Sequence, residues 1–271
     1  MMRRHDGRRR RKHSGHSHRN AGHDCIYGRQ PVREVLRAGR RSVERLWVSE
    51  RAAMTSDLAE IIELAQRTGA DIVESAPAEL DRMVPDGNHQ GVVIQSGTYK
   101  YYSFDEVVDL VRNAGKQTLL LCLDHLEDPQ NLGGLLRSAE AAGVTAVLIP
   151  KDRAAHVTAA AIRASAGAAE HVPVAIVVNL TQAIRQLKEE GIWFAGLDAG
   201  PGAEPVAACD LTGPWGIVVG AEGKGLGRLV KETCDRVISL PLYGRVSSLN
   251  AAVAAALALY EVRRQRAESS E

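Results

Sequence analysis

From residue 118 onward the chain alternates short, uninterrupted apolar runs with helical patterns, and few architectures accept that. The runs are Thr118–Leu123, Ala146–Ile149, Val172–Val177, Trp193–Leu197, Trp215–Val219 and Val237–Leu240, each four to six residues long. Strands so continuously apolar must be covered on both faces, which a parallel sheet between helical layers provides. Helical patterns fall between them at Leu132–Ala142, Ala154–Ala164, Leu180–Glu189 and Leu226–Thr233, and Leu249–Arg266 follows the last run. At 271 residues the chain suggests one large or two ordinary domains. Aromatic residues are only 4%, so packing must rest on Ala, Val, Leu and Ile. No apolar run approaches the roughly 18 residues of a membrane span. Cys25, Cys122, Cys209 and Cys234 are scattered without a CxxC pair. That pattern points to free thiols in a reducing compartment rather than to a disulfide framework or a zinc site.

Residues 25–97 read as a separate, smaller α/β unit. Ile26-Tyr27-Gly28 opens it, and Pro31 suits the first position of a helix carrying Val32, Val35 and Leu36. Arg45–Ser49, Asp71–Glu74 and Gly91–Gln95 read as strands. Asp57–Thr68 reads as a helix with Asp57 as its cap. Pro85-Asp86-Gly87-Asn88 signals a turn ahead of His89 and Gln90. Residues 98–117 form a polar connector with a short amphipathic helix around Phe104–Val111, and the domain boundary is expected there. Residues 1–24 hold almost no apolar side chains and read as a disordered basic tail. They carry eight Lys/Arg against Asp6 and Asp24, a local charge of +6, which leaves −5 on the remainder of a chain whose net charge is +1. The folded part is therefore not basic overall, and the tail offers a sequence-independent attraction to polyanions.

The stretch from Trp215 to Asn250 gathers most of the residues with chemical potential. Two strand–turn–helix passages follow one another there, and such turns build ligand crevices at the carboxyl ends of parallel strands. Gly220, Gly223, Gly225 and Gly227 permit close backbone approach, and Glu222, Ser248 and Asn250 put polar groups beside it. Ser247 is placed to cap the final helix, with Ser248, Leu249 and Asn250 in its first turn. Leu249, Val253, Leu257 and Tyr260 share one face of that helix, and its Ala-rich body permits close packing in a core or a subunit interface. Upstream, Asp128-Pro129-Gln130-Asn131 lies between a strand and a helix, with Asp128 or Asn131 as its cap and Arg137 off the buried stripe. A spacing of six residues leaves Asn131 and Arg137 well apart around the helix. No P-loop, G-x-G-x-x-G or G-x-S-x-G signature is present, and no His/Cys cluster has metal-ligand spacing.

Three ordered segments resemble the motifs of the SpoU (TrmH) family of RNA ribose 2′-O-methyltransferases, within the SPOUT superfamily. They are Asn131 through Arg137, Gly220-Ala221-Glu222-Gly223, and Leu240-Pro241 with Ser247-Ser248-Leu249-Asn250. Ala166–Glu170 and Val172-Pro173-Val174 also fall where that family expects them, and Tyr27–Leu36 with His89–Val92 resemble its N-terminal substrate-binding domain. The resemblance implies an α/β fold: a parallel-sheet SPOUT domain over residues 118–267 with a deep trefoil knot, preceded by a small domain similar to ribosomal protein L30e. General topology would not have suggested a knot. It implies S-adenosyl-L-methionine as methyl donor, no metal, a homodimer with the active site across the subunit interface, and a cytoplasmic enzyme acting on large-subunit ribosomal RNA. By the same resemblance Gly220, Leu240 and Leu249 line the cofactor pocket, while Asn131, Arg137, Glu222, Ser248 and Asn250 surround the reacting ribose.

The implied reaction is 2′-O-methylation of a guanosine ribose in 23S ribosomal RNA. Methylation of transfer RNA or of another ribosomal nucleotide is an alternative, as is a knotted RNA-binding protein without catalysis. A guanidinium is an awkward base, so Arg137 is read as a phosphate clamp and charge stabiliser. The tail has its own expected consequence. Deleting residues 1–24 should weaken RNA binding and flatten its dependence on salt, measured by anisotropy across a sodium chloride series. An unchanged slope would mean that the tail adds nothing to binding.

Overall fold

A computed structural model of the chain describes residues 23–85, 87–200, 202–245 and 248–269. The tail expected over 1–24 therefore lies almost wholly outside the described residues, as do Asp86 of the predicted turn and Ser247 of the predicted cap. The N-terminal unit runs β1 (His23–Tyr27), α1 (Arg29–Ala38), β2 (Val43–Ser49), α2 (Ser56–Thr68), β3 (Asp71–Ser75), α3 (Pro77–Met83) and β4 (Val92–Gly97). Its four strands order as β1-β4-β2-β3, with β4 antiparallel to both neighbours and β2 parallel to β3. Helix α1 opens at Arg29, so Pro31 is its third residue rather than its first. The missing N–H is harmless there too, because the first four amides of a helix have no intrahelical acceptor. Helix α2 is capped by the Thr55 hydroxyl, which accepts from Leu58 N, and not by Asp57, which lies inside the first turn.

The second unit continues through α4 (Phe104–Ala114), β5 (Leu119–Asp124), α5 (Pro129–Ala141), β6 (Ala146–Pro150), α6 (Ala159–Ala164), β7 (Val174–Val177), α7 (Leu180–Glu189), β8 (Trp193–Leu197), β9 (Glu204–Pro205), β10 (Trp215–Gly220), α8 (Arg228–Thr233), β11 (Arg236–Ser239) and α9 (Ala251–Glu268). Its seven strands order as β7-β6-β5-β10-β8-β11-β9, and every pair is parallel. The expected α/β architecture with a covered parallel sheet is present. All six residues of β5 and of β10 are buried, as continuous apolar runs require. Helix α4, in the segment read as a connector, is closed by a Ser103–Glu106 capping box and buries Val107 and Val111 against the larger sheet.

Helix α9 lies along α5 and returns to the start of the central strands. Gly134 faces Ala252 near one end, and Arg263 donates to Gly143 O at 2.6 Å near the other. Arg266 then donates to Gln117 O at 2.8 Å, Thr118 O at 2.7 Å and Gly213 O at 2.7 Å, tying the C-terminal helix to the entries of β5 and β10. Burial lowers its guanidinium pKa to about 10.

One apolar cluster runs from Ile26, Val32 and Ile94 of the first unit through Leu119, Leu135 and Val147 of the second. A polar clamp crosses the same junction. Arg41, after α1, donates to Glu170 Oε1 at 2.7 Å, with both side chains 1% exposed, and to Asp24 Oδ2 at 3.0 Å. Tyr99 donates to Ala169 O at 2.8 Å beside it. Burial holds the Glu170 carboxyl above its ordinary range, and the Arg41 charge only partly offsets this. Removing one member of a buried pair leaves a charge without compensation, at a cost of about 3–5 kcal/mol. Arg41→Ala should lose stability of that order in urea unfolding at pH 7. A carboxyl with a raised folded pKa binds more protons folded than unfolded, so its contribution improves as pH falls. The Arg41→Ala deficit should therefore shrink in mild acid.

Candidate active site

The site is built where β5 and β10 end. These strands pair in parallel register, Leu119 beside Trp215 through Asp124 beside Gly220, so the loops that follow them emerge side by side. After β5, Asp128 caps α5 by accepting from Gln130 N at 3.0 Å and Asn131 N at 3.3 Å, so the Asn131 side chain is not needed as a cap. After β10 the chain folds back on itself: Gly225 N donates to Ala221 O at 2.9 Å, and Gly225 has φ +65°. A side chain at Gly220 would collide with the backbone of Gly225 and Leu226, so this turn requires glycine there. Asp124, 1% exposed, ties the two loops together through Oδ2, which accepts from Gly227 N at 2.7 Å.

At the junction three side chains close a triangle. Asn131 Nδ2 donates to Glu222 Oε1 at 3.0 Å, Asn250 Nδ2 donates to Asn131 Oδ1 at 2.9 Å, and Asn250 Nδ2 donates to Glu222 Oε1 at 2.7 Å. Asn250 Oδ1 also caps α9, accepting from Ala252 N at 2.9 Å and Val253 N at 3.3 Å. A primary amide has two N–H donors, so Asn250 is fully engaged. Asn131 keeps one N–H, and Glu222 keeps its second oxygen. The triangle thus offers one donor and one charged acceptor, held in place from the first turn of α5, the turn after β10 and the cap of α9.

Two clefts meet at this point. One, of about 640 Å³, is lined by Leu197, Val219, Gly220, Leu240, Leu249 and Asn250 among others. The other, of about 470 Å³, is lined by Asp124, His125, Asn131, Arg153, Glu222 and Lys224 among others. Glu222 belongs to both. Gly220, Leu240 and Leu249, the residues expected to form a cofactor pocket, fall together in the larger cleft. Ser248 lines it too, but Ser248, Leu249 and Asn250 do not form the first turn of the final helix. That helix starts at Ala251 with Asn250 as its cap, because the Asn250 side-chain oxygen accepts from the free amides of Ala252 and Val253. Arg137 is exposed on α5 and belongs to neither cleft. The sequence reading missed Asp124, His125 and Arg153. The signals for the last two are backbone ones, φ +58° at His125 and +53° at Arg153, which no residue pattern announces.

Asn250 carries two duties that mutation can separate. Asn250→Ala should remove the α9 cap and lower stability by about 1 kcal/mol, read as a lower melting temperature. Asn250→Ser restores a cap and should regain most of that stability, although its shorter side chain still cuts the tie to Asn131 and Glu222.

With this geometry in view, the likeness to known proteins is specific. Residues 118–260 match the SpoU rRNA Methylase family, and residues 25–102 match the family described as RNA 2′-O ribose methyltransferase substrate binding. The putative TrmH family tRNA/rRNA methyltransferase YacO of Bacillus subtilis is 43% identical over 244 residues, covering 90% of this chain and 96% of that protein. A tRNA/rRNA methyltransferase of Mycolicibacterium vanbaalenii is 44% identical over 243 residues, covering 90% of this chain and 77% of that one. The crystal structure of the SpoU methyltransferase AviRb from Streptomyces viridochromogenes in complex with AdoMet superposes with a TM-score of 0.75 at 26% identity, covering 92% of each chain. On both its sequence and its fold, this chain belongs to the SpoU rRNA methylase family.

Proposed function

We propose that this RNA methyltransferase transfers a methyl group from S-adenosylmethionine to a ribose 2′-hydroxyl of ribosomal RNA, with a guanosine of the 23S molecule as its target. The observation that carries the reading is the junction of two clefts at one polar triangle. A methyl donor and an acceptor nucleotide need separate pockets whose reactive ends touch, and Glu222 lines both.

The larger cleft suits the donor. Its volume of about 640 Å³ lies within the range typical of small-molecule sites. Leu197, Val219, Leu240 and Leu249 supply apolar walls, and Gly220 leaves backbone accessible where a side chain would intrude. When bound, the donor supplies an electrophilic methyl on a sulfonium. The spare N–H of Asn131 donates to the ribose 2′-oxygen, and Glu222 Oε2 accepts from its hydrogen. Glu222 takes up that proton as the O–CH3 bond forms and the bond from sulfur to the methyl breaks, while the Asn131 N–H offsets the charge developing on the oxygen and fixes its line of approach. Asn250 holds the pair in register, and Ser248 faces the same cleft.

Arg137 enters this scheme from a second protomer. It lies on α5 between the points where Gly134 and Gly143 meet α9, and α9 exposes Val253, Leu257 and Tyr260 at 49%, 49% and 54%. An exposed apolar stripe beside an arginine with no ion pair among the described residues supports a homodimer in which each Arg137 clamps a phosphate at the other protomer's site. The trefoil knot belongs to the same reading. It is supported by the last strand, β11, which lies between β8 and β9 while the next helix returns to α5. Action in the cytoplasm, on the large-subunit RNA, completes the proposal.

Calorimetric uptake of S-adenosylmethionine, followed by tritium transfer into ribosomal RNA but not transfer RNA, tests the reaction; primer extension sensitive to ribose methylation then identifies the nucleotide. Transfer into transfer RNA alone would overturn the ribosomal assignment. Arg137→Ala should abolish transfer while leaving donor affinity within about twofold, the scatter expected when no contact is lost. Mixed with inactive Glu222→Ala, it should regain activity, because mixed dimers hold one complete site. Lack of rescue, with dimers shown to exchange, would return Arg137 to its own protomer.

A further inference from the structure

Four non-glycine residues among those described have positive φ, and two of them, His125 at +58° and Arg153 at +53°, line the smaller cleft. Left-handed backbone is costly for such side chains and persists where the surroundings hold it. At His125 the holding group is visible. Asp124, buried to 1% exposure, accepts from His125 Nδ1 through Oδ1 at 2.5 Å, while its Oδ2 is occupied by Gly227 N. A carboxylate oxygen facing Nδ1 favours the tautomer that carries its proton there. Nε2 is then the open nitrogen, on a ring whose side chain is 50% exposed.

Cations share the cleft. Arg153 and Lys224 line it, and neither makes an ion pair among the described residues. Four carboxylates line it too: Asp124 is held by His125 and Gly227, Asp128 caps α5, Glu222 sits in the triangle, and Glu127 completes the set. A volume of about 470 Å³ accommodates one nucleotide taken out of its stack, as enzymes that act on a single nucleotide in RNA or DNA require.

Building on the proposed reaction, we infer that His125 reads the target base. Its Nε2 accepts a hydrogen bond from the base of the unstacked nucleotide whose ribose lies at Asn131 and Glu222, and Arg153 and Lys224 take the adjoining phosphates. Asp124 is the positioning residue that sets the tautomer and aims the ring. Base selection thus comes from a histidine held at the carboxyl end of β5.

The decisive variant is His125→Gly, since glycine adopts φ +58° without strain and the loop should keep its path. Methyl transfer is measured on 23S transcripts carrying each of the four bases at the nucleotide that the wild-type enzyme modifies. The variant should lose about tenfold in kcat/KM on the preferred base, the value of one hydrogen bond. It should also lose most discrimination among the four, while calorimetry gives unchanged uptake of S-adenosylmethionine. In parallel, protein labelled with ¹⁵N-histidine is titrated with each nucleoside 5′-monophosphate, the His125 signal being the one absent from His125→Gly. Its Nε2 resonance should move and saturate with one of them. Retained discrimination in His125→Gly, or a resonance indifferent to all four, would overturn the assignment even with methyl transfer established. A wild-type protein that transfers no methyl group, yet shifts His125 on nucleotide binding, would fail the reaction and keep the pocket.

Discussion

The pairing of β5 with β10 is the constraint on which the rest depends. Both strands are buried along their whole length, so neither can slide without exposing apolar side chains or orphaning backbone amides. Their register sets Asp124 beside Gly220, and everything chemical hangs from those two residues. Asp124 holds His125 on one side and Gly227 on the other. Gly220 lets the 221–225 turn fold back closely enough for Glu222 to reach Asn131 and Asn250.

The triangle also shows how economically a polar site can be fixed. Asn250 both starts α9 and closes the site, so the helix and the constellation share one side chain. Helix α9 is anchored at its far end by Arg266 on the backbone at the entries of β5 and β10. Displacement of the helix would disturb the site at its near end and the sheet at its far end. Small residues let α9 lie close to α5, as where Ala252 meets Gly134. The alanine-rich composition serves that approach, and the larger apolar residues Val253, Leu257 and Tyr260 are left outward.

The N-terminal unit is joined to this framework by a shared apolar core and by the buried Arg41–Glu170 pair. Glu170 Oε2 and Arg41 Nε are buried without hydrogen-bond partners, so the pair is not optimised for stability. Such a pair discriminates between docking geometries more than it strengthens one, since a shifted interface would strand both charges. A unit that matches an RNA substrate-binding family must hold its ligand at a set distance from the two clefts, and a geometric lock of this kind meets that need.

Much of this was legible in the residues. The parallel sheet followed from apolar runs too continuous to face water, and strands such as Trp193–Leu197 and the helix Leu180–Glu189 fall where the pattern put them. Asn131, Glu222 and Asn250 were named as site residues through motif resemblance, and the chain does bring them together. Local spacing could not have done so, because they are separated by 91 and 28 residues and meet through hydrogen bonds that only the sheet's register creates. The helix caps show the limit at short range. Asp57 and Ser247 are good capping types, but Thr55 and Asn250 do that work, because where a helix begins depends on how the preceding loop is held. The outward direction of the Leu249–Tyr260 face, the strained backbone of His125 and the division into two clefts belong to the tertiary structure alone. Composition and periodicity determine which residues must be buried. Which polar groups then face one another is decided by strand order and loop path, through contacts between residues that the sequence leaves far apart.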